Sequence, residues 1–162
     1  MSGKYRRIKM RVLDNLVPEK VFYYFEELCN IPHGSTNTKA ISDYCVNFAK
    51  ERGLAYHQDP ENNIIILKNG SKGYEDSKPV IIQGHLDMVC EKEADCTIDF
   101  EKDGLSLAID GDYIYAEGTT LGGDDGIAVA MALAILDDDT LEHPPIEAVF
   151  TVDEEIGMLG AV

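Results

Sequence analysis

From Val17 to Leu28 apolar side chains recur at helical spacing (Val17, Val21, Tyr24, Phe25, Leu28), which predicts an amphipathic helix with Pro18 in its first turn. Asn30-Ile31-Pro32-His33-Gly34 interrupts that pattern. A second helix is predicted over about Thr38–Arg52, where Ile41, Tyr44, Cys45, Phe48 and Ala49 form one stripe and Gly53 supplies the stop. The periodicity then changes. Asn63–Lys68 and Pro79–Gly84 are short apolar runs that read as buried strands, separated by Asn69-Gly70 and a polar loop. Leu105–Ile109 and Tyr113–Tyr115 flank Asp110-Gly111-Asp112, a tight-hairpin signature. A third helix over about Asp125–Leu136 is apolar nearly all round, through Ile127, Ala128, Ala130, Met131, Ala134 and Ile135, the pattern of a buried helix. A last apolar run, Ile146–Val152, predicts another strand. Strands alternating with helices, two of them almost wholly apolar, imply an α/β layered domain.

A length of 162 residues fits one domain, and 44% hydrophobic residues with 14 glycines and 6 prolines exclude collagen-like and low-complexity chains. No stretch approaches the roughly 20 apolar residues of a membrane span, so no membrane partner is expected. Charge changes the picture more. Five of the 14 basic residues (Lys4, Arg6, Arg7, Lys9, Arg11) lie in the first eleven positions, leaving 9 basic against 30 acidic groups in the rest of the chain. Such a field repels phosphate backbones, so no nucleic-acid partner is expected; it suits cations, and equally a solvated acidic surface. Residues 1–11 read as a disordered basic leader rather than a secretory signal, because no apolar run of about 7–15 residues follows. Cys29, Cys45, Cys90 and Cys96 show no C-x-x-C spacing and read as reduced thiols of a cytoplasmic protein. The chain stops at Gly160-Ala161-Val162, just past a predicted strand, which suggests a truncated domain.

Three motifs carry candidate chemistry. Gly84-His85-Leu86-Asp87 leaves the second predicted strand, and in extended backbone His85 and Asp87 share a face. Histidine is a common metal ligand and a carboxylate beside it orients the ring; a structural histidine is the competing reading. Gly118-Thr119-Thr120-Leu121-Gly122-Gly123-Asp124-Asp125-Gly126 precedes the third helix, where one aspartate serves as an N-cap but two adjacent acids between glycines exceed what capping requires. Asp153-Glu154-Glu155 follows the last strand, as a solvated turn or as ligands of a cation. Open α/β sheets bind ligands beyond the carboxyl ends of their strands. One pocket there is expected to gather an imidazole and several carboxylates, the donors zinc, manganese and cobalt take. With a spare glutamate as general base, the residues point to a metal-assisted hydrolase. No D-x-[DN]-x-[DN]-G loop is present, which argues against a calcium-binding module.

HLDMV, GTTLGGDDGIA and DEEIGM, spaced 39 residues (85 to 124) and 31 residues (124 to 155) apart, together resemble the co-catalytic zinc peptidases. Further stretches, IPHGSTNTKAISDY, ENNIIILKNG and KPVIIQGHLDMV, resemble the aminoacyl-histidine (Xaa-His) dipeptidases among them. The resemblance covers about residues 12–162 and implies a three-layer α/β catalytic domain with a mixed sheet, incomplete here, cytoplasmic, and dimeric in the intact enzyme. It implies two Zn2+ (Mn2+ or Co2+ as substitutes), with His85 on one, Asp124 bridging both and Glu155 on the second. It implies that Asp87 orients His85, that Glu154 is the general base for a zinc-activated water, and that Asp124–Asp125 is a cis peptide. Gly123 stands where the family has alanine, and Asp125 where some dipeptidases have asparagine. The family's remaining carboxylate and histidine ligands, and a second domain that helps bind substrate, have no counterpart in this chain. Each ion would keep two protein ligands, so dipeptide substrates such as Xaa-His are expected to be cleaved weakly or not at all. The alternative is a non-catalytic remnant that binds metal or partner chains. His33, His57 and His143 match no ligand position and read as structural, as do the cysteines.

Overall fold

The computed structural model describes residues 11–161. Helices α1 (Glu19–Cys29) and α2 (Lys39–Glu51) precede strands β1 (Ala55–Gln58), β2 (Ile64–Lys68) and β3 (Val80–His85). A hairpin of β4 (Leu107–Asp110) and β5 (Tyr113–Ala116), helix α3 (Gly123–Leu136), strand β6 (Ile146–Thr151) and a 3-10 turn (Leu159–Ala161) follow.

The main sheet runs β1-β2-β6-β3, with β2 antiparallel to both neighbours and β3 parallel to β6. Mixed pairing therefore arises at β6, the last strand in sequence, which inserts between the two apolar runs read as strands. Ile64 and Gly84 both stand opposite Phe150. Alternation along β2 and β6 sends Ile64, Ile66, Ala148 and Phe150 to one face, where all are fully buried. Ile64, Ile66 and Phe150 each contribute about 1.5–3 kcal/mol by leaving water.

Helices α2 and α3 lie on that face, and α1 packs against α3. The side-chain amide of Gln58 on β1 donates to the Ser42 hydroxyl of α2 at 2.7 Å. The Tyr24 and Phe48 rings join α1 to α2 edge to face, their centroids 5.5 Å apart. The Lys68 ammonium on β2 reaches the last carbonyls of α3. On the other face Ile65 and Val149 are half-buried, while Leu67 and Ile81 are 43% and 63% exposed. Of the three expected layers, the described residues furnish the sheet and the helical layer on one side.

Several expectations need correction. Strand β1 was not anticipated, because Ala55-Tyr56-His57-Gln58 is mostly exposed and carries no apolar alternation. Strand β3 is not buried throughout: it forms a sheet edge, and Val80 and Ile81 are exposed. Helix α3 is largely buried as expected, through Val129, Ala130, Ala132, Leu133, Ala134 and Leu136, although Met131 is 50% exposed. Pro18 occupies the N-cap of α1, one place before the first turn. The hairpin stands as expected, with Gly111 at φ +57°. Residues 1–10 of the expected leader lie outside the described residues; Arg11 donates to Glu27 at 2.8 Å and to the Tyr23 carbonyl at 2.7 Å. The four cysteines are free, and burial pushes the Cys29 and Cys45 thiols up to about 12. Among the described residues no helix is long and apolar enough to cross a membrane.

Candidate metal centre

The site forms where β3 and β6 end side by side and the start of α3 meets them. Gly84 permits this approach: a Cβ there would lie 2.9 Å from Asp125 Oδ2 and 3.2 Å from Val129 Cγ2. Asp125 Oδ2 instead accepts the His85 backbone N–H at 3.3 Å. Burial raises the Asp125 pKa, although the His85 N–H and the imidazole oppose it. Neither aspartate caps α3. Gly122 precedes the element at φ +68°, Asp124 and Asp125 keep non-helical backbone angles that kink it, and the regular helix runs on from Gly126 with no side-chain cap bond. Both aspartates thus stand at the start of the regular helix, as the capping alternative requires, but the cap bond itself is not made. The Asp124–Asp125 peptide bond is cis.

The His85 ring is buried, and its Nδ1 lies 3.0 Å from the Asp87 carbonyl. A carbonyl only accepts, so Nδ1 carries the proton and Nε2 presents a lone pair in the neutral ring. That lone pair faces Asp124 Oδ1 at 3.1 Å and Glu154 Oε2 at 3.9 Å. Electron-rich atoms this close require a proton or a cation between them. Burial alone would lower the His85 pKa; the Asp124 hydrogen bond, the Asp87 carbonyl and the charges of Asp87 and Asp125 outweigh it and hold the imidazole above its ordinary value.

Asp87 has no exposed side-chain surface. Its carboxylate accepts the Ser35 hydroxyl at 2.7 Å, the Glu154 N–H at 3.0 Å and the Glu155 N–H at 3.3 Å. His85, Glu154 and Glu155 each offer a ligand atom, all within 4.8 Å of one another. Asp124, expected at the centre, meets this trio through His85, and its carboxylate is 87% exposed. Glu154, expected as base, stands in the trio beside Glu155. A buried imidazole with a free Nε2 and a ring of carboxylates is the donor chemistry of a divalent cation, so the residues fit one.

The other histidines lie apart from this trio. His33 is buried with Nδ1 2.6 Å from the Ile31 carbonyl, and burial lowers its pKa. His143 bonds the Pro144 carbonyl at 2.7 Å, and His57 lies on the exposed strand β1. Two residues were missed by sequence reasoning. Ser35 holds Asp87 from 52 positions away. Asn63 accepts the Val152 N–H at 3.0 Å and donates to the Gly160 carbonyl at 2.7 Å, clasping the exit of β6. Their only signal was that both lie in the stretches IPHGSTNTKAISDY and ENNIIILKNG that carry the family resemblance.

Fold and donor set together define an α/β domain with an imidazole and carboxylates gathered at its strand ends. The chain belongs to Peptidase family M20/M25/M40, whose profile matches residues 81–162. It is 43% identical over 152 residues to the cytosol non-specific dipeptidase of Escherichia coli, covering 94% of this chain and 31% of that protein. A solved aminoacylhistidine dipeptidase from Vibrio alginolyticus superposes with a TM-score of 0.89 at 41% identity, over 92% of this chain and 30% of that one. A tripeptidase from Staphylococcus aureus shares the fold, with a TM-score of 0.70 at 24% identity over 88% of this chain and 38% of that one. The chain thus spans about a third of the length of these relatives.

Proposed function

We propose that residues 12–162 are the N-terminal part of the catalytic domain of a metal-dependent dipeptidase of the cytoplasm. The observation that carries the reading is the His85 Nε2 lone pair 3.1 Å from Asp124 Oδ1, with Glu154 and Glu155 gathered beside it. The E. coli and Vibrio relatives, a non-specific dipeptidase and an aminoacylhistidine dipeptidase, support dipeptides, Xaa-His among them, as substrates.

In this reading His85, Asp124 and Glu155 hold divalent cations, Zn2+ first, two in the complete site. Bound there, such ions supply Lewis acidity, polarising the scissile carbonyl and making a water molecule acidic near neutral pH. Glu154 accepts a proton from the attacking water as its oxygen bonds the carbonyl carbon. As the carbon–nitrogen bond breaks, Glu154 returns that proton to the departing amine. Asp87 keeps His85 in the Nδ1–H form through its carbonyl, and its carboxylate holds the backbone that carries both glutamates.

Catalytic zinc sites keep about three protein ligands each. With His85, Asp124 and Glu155 shared between two ions, this chain is expected to bind zinc weakly and to turn dipeptides over poorly. Zinc titration by calorimetry, with Gly-His and β-Ala-His hydrolysis assayed in parallel, tests the reading. His85→Ala is expected to remove most of the heat of binding; binding indifferent to that substitution overturns the site, and full turnover overturns the expected weakness.

A further inference from the structure

We propose that Ser35 is a positioning residue that, through Asp87, sets the backbone carrying Glu154 and Glu155 against His85. This rests on the metal-site reading only in naming what those glutamates do. Residues 33–37 form a strap between α1 and α2 that is fastened to both motif segments. Met88 N–H donates to the His33 carbonyl at 3.1 Å, and Ser35 N–H to the Met88 carbonyl at 3.4 Å. A Cβ on Gly34 would lie 2.6 Å from Cys90 Sγ, so the strap runs flush against the segment that follows Asp87. One residue further on, the Thr36 N–H donates to Asp153 Oδ1 at 2.6 Å.

The strap thus reaches the H-x-D segment with a hydroxyl and the D-E-E segment with an amide. Between them, the buried Asp87 carboxylate takes one donor from the strap and two from the backbone N–H groups of Glu154 and Glu155. A carboxylate out of water depends on such donors, and charge-assisted bonds of this kind are the strong ones. Ser35 supplies the shortest of the three and the one that comes from a side chain. Without it Oδ2 keeps only the 3.3 Å bond from Glu155. Oδ1 stays held by the Glu154 N–H at 3.0 Å and beside His85 Nδ1 at 3.4 Å, so the loosening starts at Oδ2 and the Glu155 amide and passes to Glu154 through the shared backbone.

The test compares the 162-residue chain with its Ser35→Ala, Ser35→Thr and Ser35→Cys variants. Amide hydrogen exchange, read by NMR without metal, is expected to quicken roughly tenfold or more at Glu154 and Glu155 in Ser35→Ala. Ala148 and Phe150 on β6 should keep their rates, and Ser35→Thr, which retains the hydroxyl, should restore the glutamate amides. Zn2+ affinity is expected to fall roughly ten- to a hundredfold in Ser35→Ala and return in Ser35→Thr, with the visible bands of bound Co2+ shifting and returning alike. Unchanged rates at the glutamate amides, or quickening shared equally by Ala148 and Phe150, overturn the proposal. If Ser35→Ala does not fold, Ser35→Cys, a weaker donor, must exchange faster at these amides than Ser35→Thr, and equal rates overturn it. A wild-type chain that takes up no zinc defeats the metal-site reading, while the exchange rates still decide the role of Ser35.

Discussion

Gly84 and Asp125 occupy adjoining space, and neither tolerates much from the other. The Asp125 carboxylate sits 2.9 Å from where a Cβ on Gly84 would be, because its oxygen reaches for the next N–H of the same strand. Gly84→Ala is therefore expected to destabilise the chain by about 1–3 kcal/mol, read as a lower denaturation midpoint, since the opposing atoms include Val129 of the packed helix as well as the carboxylate. A midpoint equal to wild type would show that Asp125 moves aside at no cost. At this scale the sequence was informative in kind and less so in role. His85, Asp87, Asp124, Glu154 and Glu155 could all be singled out, because polar groups at strand ends and between glycines stand out from an apolar background. That Glu154 rather than Asp124 completes the close trio depended on side-chain direction, which spacing does not carry.

The C-terminal end of α3 is where elements are tied to one another. Lys68 of β2 donates to the carbonyls of Leu136 at 2.9 Å and Asp138 at 2.8 Å, satisfying acceptors that a helix end leaves unpaired. Lys68→Met keeps the apolar stem and removes these donors, and a loss of about 1–3 kcal/mol is expected in urea denaturation. Its ion pair with the exposed Asp139 adds little. Next to it Asp137 bonds Arg52 Nε at 2.5 Å and Lys20 Nζ at 3.0 Å. Burial works to raise the Asp137 pKa, but the bonds from Arg52, Lys20 and Tyr24 and the charge of Arg52 outweigh it and hold the carboxyl below its usual value. A carboxyl lowered in the folded state stabilises fully above its unfolded pKa of roughly 4 and loses that contribution as pH falls through the folded value. The stability gap between wild type and Asp137→Asn is thus expected to be widest near pH 6–7 and to close on acidification below about pH 4; a gap constant with pH would contradict it. Helices α1 and α2 were readable from their period, and strand β2 from its apolar run. Strand β1 was not, since its residues are held by pairing with β2 and not by burial of their own.

Across the whole molecule, one face of the sheet is packed by α2 and α3, with α1 against α3, and the other shows half-buried and exposed apolar side chains among the described residues. Ile81 is 63% exposed on β3, whose outer side has no strand partner among those residues. Such an edge favours association, and a charge on it opposes association. Ile81→Lys is expected to change stability by no more than about 0.5 kcal/mol while lowering concentration-dependent association in sedimentation velocity. Association that persists unchanged would place the contact elsewhere. The excess of acidic groups outside the first eleven residues works in the same direction, by general repulsion between copies.

Local order along the chain determined which segments are helix or strand, β1 excepted, and which residue types emerge at strand ends. Apolar period and glycine placement act over a few neighbouring residues, so they can be read without the fold. Tertiary structure alone decided that β6 lies between β2 and β3, that Gly84 makes room for Asp125, and that Ser35 reaches Asp87 across 52 positions. Those outcomes are contacts between segments distant in sequence. They are selected by which faces can be buried together, and no local pattern specifies that choice.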